Sequence, residues 1–147
     1  MKKLLFIFLA FPMMGCRDDD AAPIVSYTPI NETFTGRWEL RNVSGGIAGT
    51  SDDFSPGEIL WVIDPETHTV QVTNTNPDPN DEDFFDSGLY PYQIVINPAT
   101  PEICGFNLEI GGVNLGCFTV SENELKLSMI EADGHVLTLR RPQNLAF

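Results

Sequence analysis

Apolar residues recur at every second position in short runs along this chain, and Gly, Pro, Asn and Asp separate the runs. From Phe34 to Val43, Phe34, Trp38 and Leu40 fall on one face while Arg37, Glu39 and Arg41 fall on the other. Side chains alternate across a strand, so this reads as a half-buried antiparallel strand. Over Gly57–Asp64 the inward set is Ile59, Trp61 and Ile63; over His68–Thr75 it is Val70 and Val72. Asp64-Pro65-Glu66-Thr67 between them reads as a turn with proline at its second position. A fourth strand over Ser87–Asn97 carries Tyr90, Tyr92, Ile94 and Ile96, and Pro91 within it points to an edge, a bulge or a barrel rim. Ile103–Ile110 and Val113–Val120 flank Gly111-Gly112, a hairpin signal. Leu125, Leu127 and Met129 alternate with Lys126 and Ser128. Asp133-Gly134 then turns the chain into His135–Arg141, with Leu137 and Leu139 on one face.

Eight strands in sequential hairpins predict an all-β domain, an eight-stranded antiparallel up-and-down barrel. Closure removes the open edges such a sheet would otherwise carry. A two-sheet β-sandwich of the same strands is the alternative. Two connections, Ser44–Pro56 and Asn76–Asp86, are long for hairpins, and long loops tend to carry function.

The first fifteen residues have a different character. Lys2 and Lys3 precede an apolar run from Leu4 to Phe11, the layout of an export signal. As a helix this run spans about 12 Å, too short for a ~30 Å hydrocarbon core. Met13-Met14-Gly15-Cys16 resembles a bacterial lipobox. The resemblance implies cleavage after Gly15 and acylation of Cys16, including a palmitate-type chain. Two or three acyl chains, at about 0.8 kcal/mol per buried CH₂, hold a protein on a bilayer. Arg17-Asp18-Asp19-Asp20 resembles the export signal of surface lipoproteins of the Bacteroidetes. That implies an outer-membrane lipoprotein facing outward, with the periplasmic face as the alternative. The expected organisation is a signal peptide over 1–15, a lipidated acidic tether over 16–32, a barrel over 33–142 and a tail over 143–147.

Gly36-Arg37-Trp38 and the late Arg140-Arg141 resemble the lipocalin arrangement, as do the string Thr35–Gly49, Ser87-Gly88-Leu89-Tyr90 and Asp133-Gly134 through Thr138-Leu139-Arg140. Within that family the likeness is to flavobacterial lipocalin-like lipoproteins. It implies that Gly36 and Trp38 form the barrel floor and that an arginine of the last strand packs across the indole. Carried over, Arg140 takes that role; because alternation sets Arg140 opposite Leu139, Arg141 is the alternative. The resemblance further implies that the barrel binds a small apolar ligand. The chain departs from the family in lacking a Thr-Asp-Tyr-type motif and a C-terminal helix.

Charge narrows the partners. Twenty-one acids against eight Lys and Arg give a formal charge of −13. Such a chain repels phosphate backbones, so no nucleic acid is expected, nor adsorption to anionic lipid through a basic patch. Cys104 and Cys117 lie on adjacent strands, and export favours a disulfide between them. A four-residue loop around Gly111-Gly112 would set them face to face; a strict two-residue loop would offset them diagonally.

Candidate chemistry is sparse. His68 and His135 each begin a strand and read as exposed turn residues; no His/Cys/Asp spacing supplies the three or four convergent ligands of a metal site. Asp78–Asp86 is rich in oxygen ligands for weak calcium binding. Counted from Asp78, however, its sixth position is Asp83 rather than glycine and its twelfth is Leu89 rather than glutamate. No Gly-x-Ser-x-Gly elbow, Ser-x-x-Lys pair or phosphate-cradling loop is present. The expectation is therefore a protein without cofactor that is not an enzyme. Its partners would be a membrane, through the lipid anchor, and a small apolar ligand or a protein. Phe54, Trp61, Phe84, Phe85, Tyr90 and Tyr92 are the aromatics available to either, and an exposed Phe54 or Phe84-Phe85 pair would mark a contact surface.

Overall fold

The computed structural model describes residues 34–96, 104–129 and 134–143. The signal peptide, Cys16, the tether and residues 144–147 of the tail lie outside the described residues, as do Ile103 and Asp133. Among the described residues nine strands follow in order: β1 (Gly36–Gly45), β2 (Thr50–Asp53), β3 (Ile59–Asp64), β4 (Thr69–Asn74), β5 (Gly88–Ile96), β6 (Phe106–Ile110), β7 (Val113–Val120), β8 (Glu124–Ser128) and β9 (Val136–Arg140). Neighbours pair antiparallel in the order β2-β1-β3-β4-β5-β6-β7-β8-β9, and β9 returns to pair with β1. That last pairing, through Leu40 and Leu139 and on to Ser44 and Val136, closes eight strands into a lipocalin-like up-and-down barrel. A sandwich of two open sheets is thereby excluded.

The ninth strand, β2, lies where a long loop was expected. It pairs with the second half of β1, alongside β3 on the same edge, and the turn Ser55–Glu58 interrupts what is otherwise one continuous strand. Asn42 fastens β2 by donating from its side-chain amide to Ser51 Oγ, the Asp52 carbonyl and Asp53 Oδ1.

Alternation delivers the inward set: Trp38 and Leu40, Ile59, Trp61 and Ile63, Val70 and Val72, Leu108 and Ile110, Leu125 and Leu127, Leu137 and Leu139 are all buried. Two bulges break the period. Between Leu40 and Asn42, β1 slips against β9, so Val43 rather than Asn42 turns inward. On β7 an extra residue beside Gly116 carries the inward face from Leu115 to Phe118. A one-residue slip flips every later side chain, so these bulges re-aim the strands' ends.

The interior is filled. Trp38 and Trp61 stand opposite each other in the β1–β3 register, and both have 0% exposure, as do Leu115, Leu127 and Leu137. At zero exposure no space large enough for a water molecule touches these side chains. Each leucine so buried contributes roughly 1.5–3 kcal/mol. At the end carrying the start of β1, Phe34 is buried against Tyr92 and Phe118, with ring centroids 5.7 and 5.4 Å away. At the opposite end Phe85, from the β4–β5 loop, packs edge-on to Trp61 at 5.5 Å, and Phe54 is buried as well. Aromatic side chains thus cover both ends of the core.

Candidate functional site

The floor is built from the two ends of the barrel sequence. Trp38 Nε1 donates to the Phe34 carbonyl at 2.8 Å, fixing the indole. Arg141 lies over that indole, its Cζ 4.0 Å from the ring centroid, and its Nη1 donates to the Thr35 carbonyl at 2.7 Å. Burial pushes the Arg141 guanidinium below its ordinary pKa, although an arginine stays protonated throughout the accessible range. Gly36 has φ +96°, and a Cβ there would come within 2.8 Å of Arg141 Nη1. Gly36 suits this position first by its left-handed φ, and the guanidinium end lies in the space that a side chain would enter. Of the two arginines offered by the sequence, Arg141 is the packing residue. Arg140 points outward, 3.8 Å from Glu124, because it follows inward-facing Leu139 by one position.

Cys104 and Cys117 form a disulfide, with Cα atoms 5.5 Å apart. The β6–β7 connection is the two-residue loop of the two alternatives, and a bulge on β7 is added to it. Ile110 pairs with Val113 across a two-residue Gly111-Gly112 turn, and both glycines have positive φ. The bulge at Gly116 then shifts the register so that Cys117 opposes Asn107, and Cys104 reaches it from outside the ladder, its Sγ lying beside Asn107. Pro91 stands at the last rung of the β4–β5 ladder, a rim position.

The other end of the barrel carries the loops. The loop between β4 and β5 is organised by asparagines. The Asn74 side-chain amide donates to Asp83 Oδ2 at 2.7 Å and to the Phe85 carbonyl at 3.0 Å, and that of Asn76 donates to Asp81 Oδ2. Glu82 N–H donates to Asp52 Oδ2, tying the loop to β2. The adjacent phenylalanines part company: Phe85 turns into the barrel, while Phe84, at φ +66°, stays half-buried at the surface. The Phe84 ring packs edge-on to His135 at 5.7 Å.

His135 is consequently not an exposed turn residue. Its side chain is largely covered, its Nε2 pairs with Glu82 Oε2, and its carbonyl accepts from Met129 N–H. His68 is exposed, as expected, in the β3–β4 turn. Phe54 and Phe85 belong to the core rather than to a contact surface.

Between the β4–β5 loop and the start of β9 lies a cleft of about 450 Å³. Phe84, Met129 and His135 line it together with the acids Asp81, Glu82, Asp83 and Asp86. The volume suits a small organic molecule. Among the described residues no three His, Cys, Asp or Glu side chains converge as a metal site would require. Asp78 is turned inward to its own loop, its carboxyl held below the ordinary range by the Asn80 N–H and side-chain amide. A second cleft, of about 460 Å³, lies at the floor beside Glu124, Arg140 and Gln143.

Compared with family models, curated proteins and solved structures, the chain matches none of them.

Proposed function

We propose that this chain is a lipid-anchored binding protein of the outer membrane, related to the lipocalin-like lipoproteins of the Bacteroidetes and facing outward. In this reading it takes a small, partly apolar ligand in the cleft at its loop-bearing end and does not transform it. Cys16 carries the acyl chains, and the acidic tether that follows holds the barrel off the bilayer.

The carrying observation is the contrast between the two candidate volumes. The central core side chains, among them Trp38, Trp61, Leu115, Leu127 and Leu137, touch no water-sized space, whereas the cleft beside Phe84 and Met129 is open and of ligand size. Bound ligand retained by the full chain from an extract of small amphiphiles, read by native mass spectrometry, tests it. Retention lost on Phe84→Ser and kept on Arg140→Ala is expected. Equal retention by Phe84→Ser, or none by the unaltered chain, contradicts the reading. For the anchor, labelling with radioactive palmitate is expected to vanish on Cys16→Ser; persistence removes the assignment. Protease shaving of intact cells tests the outward orientation, which fails if the barrel is cut only after the outer membrane is broken.

A second reading, favoured by the filled interior, has the loop end grip a protein partner. Deletion within Asn76–Asp86 that leaves a captured partner unchanged counts against it.

A further inference from the structure

Taking the loop-end cleft as the ligand site proposed above, we infer that its ligand is an organic cation: an ammonium group carried on a ring or hydrocarbon. The argument starts from which charges face the cleft. Asp81, Glu82, Asp83 and Asp86 line it, and among the described residues no Lys or Arg does. The Lys and Arg residues of the described barrel lie elsewhere. Arg41 pairs with Glu39, Lys126 and Arg140 pair with Glu124, and Arg141 is over Trp38. Arg37, on β1, opposes Val62 of β3.

Among the described residues, the one basic side chain lining the cleft is His135, whose Nε2 faces Glu82. Asp81 and Asp83 accept hydrogen bonds from neutral asparagine amides, which orient the carboxylates without cancelling their charge. The result is a concave surface of one sign, where the field is focused by the low-dielectric wall.

Shape then chooses between cations. Among the described residues the carboxylates form no group of three that could hold a metal ion, so a compact cation finds no cage. A diffuse ammonium needs none. Its hydrocarbon would lie on Phe84 and Met129: an aromatic face attracts a nearby cation, and a thioether is polarizable and adapts its shape. An organic anion meets repulsion from these carboxylates. A neutral molecule gains only the apolar contact and partly desolvates carboxylates without compensation.

Three soluble probes of one size separate these cases: benzyltrimethylammonium, benzyl alcohol and benzoate, each titrated into the ¹⁵N-labelled full chain and followed by amide shifts. The expected result is saturable shifts at Asp81–Asp86, Met129 and His135 with the ammonium. It should bind about tenfold more tightly than the alcohol, with no binding of benzoate. Asp86→Asn, at an exposed position, should weaken the ammonium and leave the alcohol unchanged; Phe84→Leu should do the same by removing the ring face. Equal binding of ammonium and alcohol at these residues overturns the inference while the cleft remains a ligand site. No shift with any of the three removes both.

Discussion

Arg141 sits 4.0 Å above the Trp38 ring and at the same time donates to the Thr35 carbonyl, joining the residue after the last strand to the start of the first. A guanidinium over an indole contributes roughly 0.5–2 kcal/mol, and a charge-assisted hydrogen bond adds to it. Arg141→Ala should therefore lower stability by about 2 kcal/mol. Arg140→Ala removes only an exposed ion pair and should cost about 0.5 kcal/mol or less. The urea midpoints of the two variants check the assignment, and a reversed order would transfer the floor role to Arg140.

Gly116 makes a sharper test of the β7 bulge. Its φ is +73°, and a Cβ there would run into the Ser128 carbonyl of β8. Gly112 has φ +83° with open space around it. Gly112→Ala should cost about 1–2 kcal/mol for the left-handed backbone alone. Gly116→Ala, which must also displace a neighbouring strand, should cost about 3 kcal/mol or more. Similar losses in thermal denaturation would mean that the bulge is not where the structure has it.

The Cys104–Cys117 bridge closes a separation of 13 residues. Constraining the unfolded chain over a loop of that length is worth roughly 3 kcal/mol. Replacing both cysteines by serine should lower the unfolding free energy, read from the denaturant midpoint and slope, by that amount while leaving the strand content unchanged by circular dichroism. Two free thiols in non-reducing mass analysis of the exported protein would reject the bridge.

Stability should fall at both extremes of pH. Asp64 is held below its ordinary 3.8, first by the Glu66 N–H and then by Thr67, and Asp78 is lowered by Asn80. The unfolded chain binds protons at these sites more readily than the native one. Their stabilisation is thus complete above pH 3.8 and drains away as pH drops through the lower native values. Tyr92 shifts the opposite way: burial, and secondarily the charge of Asp64, raise it above 10.0. Its contribution is present below pH 10.0 and is lost as pH rises through the native value. Asp64→Asn should flatten the acid limb of a stability profile and Tyr92→Phe the alkaline limb. Unchanged limbs would contradict the assignments.

Much of the barrel could be read from the chain because strand alternation is local: Ile59, Trp61 and Ile63 announce their face without reference to anything distant. What escaped depends on partners far away in sequence. Thr50–Asp53 is polar on both faces and becomes a strand only because β1 runs beside it. The slips at Asn42 and Gly116 change a strand's face by one residue, and only the glycine hints at one of them. Phe84 and Phe85 are identical in kind. Which one enters the core is decided by the Asn74 hydrogen bonds that hold the loop. The burial of His135 has the same origin, since the β4–β5 loop brings Glu82 and Phe84 to it. The resemblance pointed first to Arg140, which faces outward; alternation from Leu139, continued past the end of β9, was the signal that offered Arg141 as the alternative.

The central claim is that the barrel is filled and that its concave site lies outside, at the loop end. Xenon enters dry apolar cavities and shifts the methyl resonances that line them. Under xenon pressure the methyls of Leu115, Leu127 and Leu137 should show no saturable shift in the unaltered chain. Phe85→Ala, which uncovers Trp61, should create one there. Saturable shifts at those three leucines without any substitution would reveal an internal cavity and contradict the account.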